Sequence, residues 1–248
     1  MKSEQFIFIP EVVSTNDSLT SIVNDKKLSN SNLEDFTVLF TDYQIGGKGL
    51  SGNVWESNSK ENILASFYLN SAVLPKDQFM VNIFFSLSVR KMLAKYLPLV
   101  QIKWPNDIYV HHNKIAGILI EHHILGETLD YTIAGVGINL NQTQFPSSVP
   151  NPTSLKLETG YDNGRITLIK ELFFYANNYY QLLVTGKYEQ LRKEYFWHLY
   201  RFNEVNTYLI NNELIAAKIV GIDGYGRLQL EMISGEILTC GYKEVRFY

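Results

Sequence analysis

The chain has 248 residues, 46% apolar and 19% charged, with a formal net charge of −3. A chain of that size buries a substantial globular core, and its acidic balance argues against a nucleic-acid partner, because phosphate binding leaves a basic face. The lone cysteine, Cys240, can form no internal disulfide, no apolar run approaches a membrane span, and residues 1–7 lack the apolar core of a secretory leader, so a cytoplasmic protein is expected.

Residues 6–9 and 12–13 read as a short strand broken by Pro10. Ser14, Thr15, Asn16 and Asp17 then offer capping side chains ahead of Leu19, Ile22 and Val23, which repeat at helical spacing. The same cluster suits ligand binding, since a helix N-terminus presents free amides and hydroxyls. A polar connector over 30–35 and a strand over 37–42 lead into a glycine-rich stretch from Gln44 to Trp55. Gly46, Gly47, Gly49 and Gly52 around Lys48 fit either a phosphate cradle or a flexible surface loop. The run from Gly47 to Gly52 has the G-x-G-x-x-G spacing of dinucleotide enzymes, which requires a helix at its last glycine. Residues 53–62 have no helical periodicity and run into a strand over 63–69, so that reading lacks its scaffold. A P-loop is excluded because Gly49, not Ser or Thr, follows Lys48, and Asp42 stands where glycine is required.

Residues 77–97 read as a buried helix, with Val81, Phe85, Val89, Met92 and Tyr96 on one face and Arg90, Lys91 and Lys95 elsewhere. A hairpin follows: apolar runs over 108–110 and 115–120 flank a polar His-His-Asn-Lys turn. Lys103, Asn106 and Asp107 crowd a Trp104-Pro105 corner beside it, and Lys114 opens its second strand. Charges beside core strands are costly unless paired or aimed into a cleft, although a plain turn with a snorkelling lysine has the same composition. A strand over 130–138 ends in alternating glycines, Gly135 and Gly137, ahead of Asn139 and Asn141, so something approaches its backbone closely, whether a ligand or a neighbouring strand. The pairs His111-His112 and His122-His123 make poor chelators, because adjacent strand residues point to opposite faces. A Pro/Ser-rich loop over 145–152 precedes helices over 166–183 and 188–199. From about Asn203 the texture changes to short strands and tight turns, with a hairpin turn between Gly221 and Leu228.

Lys-Trp-Pro-Asn-Asp at 103–107, followed by Lys-Ile-Ala-Gly-Ile-Leu-Ile-Glu at 114–121, resembles the signature of biotin protein ligases, and further motifs of that family stand in order on both sides. Ser14-Thr15-Asn16 resembles the family's biotin-pocket residues. Gln44, Gly47, Gly49, Gly52 and Trp55 match its adenylate-binding loop, and Gly135 to Asn139 its Gly-x-Gly-Ile-Asn beside biotin and the nucleotide. Two departures occur in that loop: Lys48 stands where the family usually has arginine, and Leu50 where it often has a cation or polar residue. Lysine keeps the charge but loses the planar fork, so a looser hold on the adenylate is expected.

The resemblance implies an α+β fold, a mixed sheet with helices packed on one side over 1–200 and a small SH3-like barrel over 201–248. It implies a ligase that forms biotinyl-AMP from biotin and ATP with Mg²⁺, then biotinylates a carrier-domain lysine. Lys114, Lys48 and Asp107 would be catalytic. Ser14, Thr15, Asn16, Gln44, Gly47, Gly49, Leu50, Trp55, Lys103, Asn106, Gly117, Gly135, Gly137, Asn139 and Asn141 would complete the biotin and adenylate site with the two lysines. The family's regulatory members carry a DNA-reading helix-turn-helix before the first strand; with few residues ahead of Val12, none is expected here. A homodimer is left open. The other readings are a lipoate ligase or octanoyltransferase on a related scaffold, and a non-catalytic biotin- or nucleotide-binding module.

Overall fold

The computed structural model describes residues 5–70 and 73–248; Met1–Glu4, part of the segment read as lacking a leader, lie outside them. The first strand, β1 (Phe6–Val12), runs through Pro10 without a break. It is the edge of the sheet and pairs only with β2 (Val38–Gln44), in parallel, so a residue without an N–H is tolerated there. The Pro10 carbonyl accepts a hydrogen bond from Thr41 Oγ1 at 3.0 Å.

Helix α1 (Thr15–Leu28) follows, then β3 (Ile63–Asn70), α2 (Phe79–Leu93), β4 (Val100–Lys103), β5 (Asp107–Val110), β6 (Asn113–Leu125) and β7 (Thr128–Ile138). The seven strands form a mixed sheet in the order β1-β2-β3-β7-β6-β5-β4, antiparallel except at β1–β2. Strand β4 lies outside the sequence expectation and turns the expected hairpin into a meander, with Lys103 opposite Asp107. Helix α2 is shorter than expected because Pro75–Asp77 forms a separate turn and the helix ends before Tyr96. Besides Val81, Phe85, Val89 and Met92 it buries Met80, Ile83, Phe84 and Leu87, since α4 (Arg165–Val184) and α5 (Tyr188–Trp197) cover the side away from the sheet. A short α3 (Leu155–Thr159), capped by Ser154 accepting from the Leu157 amide, was not legible beside the Pro/Ser-rich loop.

Alternation along the strands divides the core. Ile63, Ala65 and Phe67 of β3 pack with α2 and α4, whereas Tyr68, Leu39, Tyr131 and Ile133 pack with Leu19 and Val23 of α1. The helices expected on one side are there, and α1 lies over the opposite face. The C-terminal strands β8 (Val205–Ile210), β9 (Glu213–Ile222), β10 (Leu228–Met232), β11 (Ile237–Cys240) and β12 (Val245–Phe247) form a separate antiparallel sheet, ordered β11-β10-β9-β8-β12. Trp104 Nε1 donates to the Gly226 carbonyl at 2.8 Å, joining this sheet to the 103–107 corner. Gly226 has φ +88°, and a Cβ there would stand 2.3 Å from the Phe79 ring, so both backbone and space require glycine.

His122 sits on β6 with Nδ1 2.8 Å from Thr132 Oγ1. Burial, and secondarily His123, pushes its imidazole down to about 4 from the ordinary 6.5. A histidine depressed in this way costs nothing above its unfolded value; below it, the unfolded chain binds a proton that the fold refuses. This group is expected to remove up to about 3 kcal/mol of stability as pH falls from 6.5 to about 4. Chemical denaturation at stepped pH, with His122→Gln flattening that portion of the profile, is the check. An unaltered slope in the variant places the acid sensitivity elsewhere.

Candidate active site

The site begins with missing side chains. Gly117 of β6 lies opposite Gly137 of β7, and Leu119 opposite Gly135, on the sheet face that carries α1. A Cβ on Gly135 would stand 2.4 Å from Asn16 Oδ1, one on Gly137 2.5 Å from the Trp55 indole, and one on Gly117 3.1 Å from that indole. These glycines make a trough in which Asn16 and Trp55 rest directly on the sheet backbone. The close approach expected of the alternating glycines is therefore made, in this structure, by the chain's own side chains.

The start of α1 is held from three sides. Ser14 caps the helix by accepting from the Asp17 amide. Gln44 Oε1 accepts from the Thr15 amide at 2.8 Å and its hydroxyl at 2.9 Å, tying the cap to the start of the glycine-rich loop. Asn16 accepts from Ser66 Oγ at 2.6 Å and donates to Glu121 at 2.6 Å. The cap is thus a structural joint as well as one wall of the cavity.

The charges stand around this floor. Lys114 Nζ lies 2.7 Å from the Asp107 carboxylate and 5.7 Å from the centre of the Trp55 ring. From the facing loop, Lys48 Nζ lies 2.5 Å from Asp17, whose hydrogen bond raises the lysine's pKa and keeps it cationic. Both ammonium groups are partly exposed, and such ion pairs contribute about 0–1 kcal/mol, so an anionic ligand can replace either carboxylate cheaply. Trp55 Nε1 is buried without a hydrogen-bond partner among the described residues.

These groups line one cavity of about 680 Å³ counting its open mouth. It brings together the α1 cap, Gln44, Lys48, Gly49, Leu50, Trp55, Asn106, Asp107, Lys114 and the three trough glycines. Four expected residues fall outside it. Gly47 lies beneath Trp55, where a Cβ would meet the Trp55 carbonyl at 2.5 Å. Lys103 donates to the Tyr109 hydroxyl at 3.0 Å and rests over the rings of Tyr109 and Phe247, where burial lowers its pKa. Asn139 donates to the Thr153 carbonyl, and Asn141 bonds the Asn163 backbone in both directions; they tie loops together. Sequence reasoning missed Leu119, whose place two residues after Gly117 on the same strand was a usable signal, and Leu64, which only the pairing of β3 with β7 sets opposite Gly137. It also missed Tyr242, which the C-terminal sheet delivers and nothing local foreshadows. Among the described residues there is no cluster of three or more His, Cys, Asp or Glu side chains that could hold a metal ion.

A family model described as the biotin/lipoate A/B protein ligase family matches residues 9–139. The bifunctional ligase/repressor BirA of Bacillus subtilis is 26% identical over 216 residues, covering 84% of this chain and 66% of that protein. The chain thus spans just under two-thirds of that relative's length. A biotin–[acetyl-CoA-carboxylase] ligase of Mycobacterium tuberculosis is 30% identical over 149 residues, covering 56% of this chain and 53% of its own length. The structure of the biotin protein ligase from Aquifex aeolicus in complex with biotin and ATP is similar with a TM-score of 0.76 at 25% identity, over 98% of each chain.

Gly137→Ala is expected to lift Trp55 off the sheet and to destabilise the fold by about 1–3 kcal/mol, with a smaller effect for Gly117→Ala, where the contact is looser. In a Trp197→Phe background, which removes the highly exposed indole, acrylamide quenching of the remaining tryptophans should rise in that order. Equal quenching in parent and variants would mean that the trough can widen without moving Trp55.

Proposed function

The chain belongs to the biotin/lipoate A/B protein ligase family, and from that membership we propose that it activates biotin with ATP as biotinyl-5′-AMP and transfers the biotinyl group to a lysine of a biotin carboxyl carrier domain. The observation that carries the reading is the pair of lysines on facing walls of a glycine-floored trough, with a carboxylate beside one of them. The lysines have the charge for the anionic end of a ligand that enters this cavity.

A carboxylate resists attack by an amine until one oxygen becomes part of a leaving group. When biotin's carboxylate attacks the α-phosphate of ATP, that oxygen joins AMP and pyrophosphate departs. The residues' work in this step is positioning and charge neutralisation. Lys114 exchanges Asp107 for the reacting phosphate and carboxylate oxygens, and Lys48 exchanges Asp17 from the loop side. Mg²⁺, where it accompanies the nucleotide, would offset charge on the departing pyrophosphate. Asp107, released from Lys114, then takes the proton that the acceptor amine loses in the transfer step. The loop from Gln44 to Trp55 shields the adenylate from water. In this scheme residues 1–200 perform ligation and residues 201–248 form a small closing unit, in a protein working in the cytoplasm on a carboxylase carrier domain.

ATP–pyrophosphate exchange driven by biotin, and not by lipoate, tests the reading. Lys114→Ala should reduce that exchange by about 10²–10³-fold with the fold intact by circular dichroism. Exchange near the parent rate would remove Lys114 from the chemistry.

Asp107→Asn should slow transfer to the carrier lysine, by about 10²-fold or more, while slowing exchange much less, because only the second step needs a proton acceptor. Equal losses in both half-reactions would make the carboxylate a partner of Lys114 and nothing further.

The loop's departures lead to a third expectation. A charge-assisted bond to the adenylate contributes roughly 1.5–3 kcal/mol, so restoring forked cations by Lys48→Arg with Leu50→Arg should slow escape of biotinyl-AMP by about tenfold. Trapping on bystander amines reads the escape, and undiminished trapping would show that the loop closes by packing alone.

A further inference from the structure

A second cavity lies on the other side of the sheet. It is lined by Phe79 and Asn82 of α2, Trp104 and Pro105 of the corner, Ile120 and His122 of β6, and Tyr225 to Arg227 of the C-terminal sheet. It meets the first cavity at four shared residues: Leu50, Asn106, Ile118 and Tyr242. The junction lies at the edge of β6 where its pairing with β5 stops at Asp107 opposite Gly117. Asn106 and Ile118 are pinned to each other there, the Ile118 amide donating to the Asn106 carbonyl at 2.9 Å and Asn106 Nδ2 to the Ile118 carbonyl at 2.7 Å. They make a fixed floor. Leu50, on the glycine-rich loop, and Tyr242, on the turn after β11, stand on segments outside the sheets.

We propose that this neck is the route by which the acceptor amine reaches the activated acyl group, and that Tyr242 is its specificity-determining wall. The inference rests on the ligase reading above. Three observations support it. The Tyr242 ring leans on Trp104, with centroids 6.3 Å apart, in a turn fixed by the Gly241 amide donating to Glu244 at 2.6 Å, so its place is set by the docking of the C-terminal sheet. Asp107 lines the first cavity beside the neck, and its charge, after burial, is what raises the Tyr242 pKa, so the two groups are close. The chemistry of the outer cavity also suits a lysine stem and not a polyphosphate. Its lining is largely apolar, its one arginine, Arg227, is engaged by Asp223 at 2.7 Å, and His122 is uncharged at neutral pH. An aliphatic stem of four methylenes packs there at no electrostatic cost.

The step balances within the site. The amine nitrogen attacks the acyl carbon and a C–N bond forms; the bond from that carbon to the phosphate oxygen breaks and AMP leaves with its electron pair. The surplus amine proton passes to the Asp107 carboxylate.

The test measures transfer to free lysine and hydroxylamine relative to biotin-dependent pyrophosphate exchange, in the whole chain. Tyr242→Ala opens the neck and should raise that ratio by about tenfold. Tyr242→Cys alkylated with a bulky maleimide fills it and should lower the ratio by about tenfold. The native Cys240 does not compete, because it is buried and burial pushes its thiol pKa up. Tyr242→Phe should keep the parent ratio, since the wall is the ring. Ratios within about twofold of the parent in both the Ala and the alkylated variant overturn the proposal, as does a Phe variant that behaves like the Ala variant. Biotin-dependent exchange by the unaltered chain is read separately, so failure of the ligase reading is distinguishable from failure of the neck.

Discussion

The site depends on bare backbone. At Gly117, Gly135 and Gly137 the sheet has no side chain on one face, and that absence lets Asn16 and Trp55 come within contact distances that no Cβ would allow. Asn16 then reaches Ser66 and Glu121 at once, which fixes the start of α1 over β3 and β6. Trp55 ends the glycine-rich loop on the sheet, so the loop's path across the cavity follows from where the indole rests. A methyl group at Gly135 would press on Asn16, and one at Gly137, or more loosely at Gly117, on Trp55.

The two lysines of the hairpin region show how environment separates residues of one type. Lys114 is partly exposed and paired with Asp107 at the cavity, so its charge is available at low cost. Lys103 is desolvated between Tyr109 and Phe247, where its ammonium lies 4.6 and 5.0 Å from the ring centres. Cation–π contacts there contribute about 0.5–2 kcal/mol and link the last strand to the hairpin. One lysine lines the cavity; the other holds the wall that the C-terminal sheet builds beside it.

That wall shows why the C-terminal segment matters to a site whose motifs all lie before residue 142. Trp104 donates to Gly226, whose close contact with Phe79 requires glycine, and the docked sheet carries Tyr242 into the junction of two cavities. The core is continuous across the join, with Tyr208, Ile219 and Leu228 in the same buried cluster as Trp104 and Ile102. A shift at the join would therefore move one side of the cavity.

Much was legible in the chain because it is local. The α1 cap, the helices at 166–183 and 188–199 and the C-terminal strands follow from spacing and turn chemistry, and the glycines announced a close approach to the backbone. Charges beside apolar strands drew notice to Lys114 and Asp107, and the family resemblance marked Lys48 in the glycine-rich loop. What the sequence could not determine depends on pairing between distant segments. That Pro10 sits within an edge strand, that β4 extends the hairpin, that Lys103 turns to Phe247 while Asn139 and Asn141 tie loops, and that Tyr242 reaches the cavity are outcomes of sheet order and docking. They are decided by which surfaces meet, and hydrophobic burial and hydrogen-bond satisfaction select those only when the whole chain is assembled.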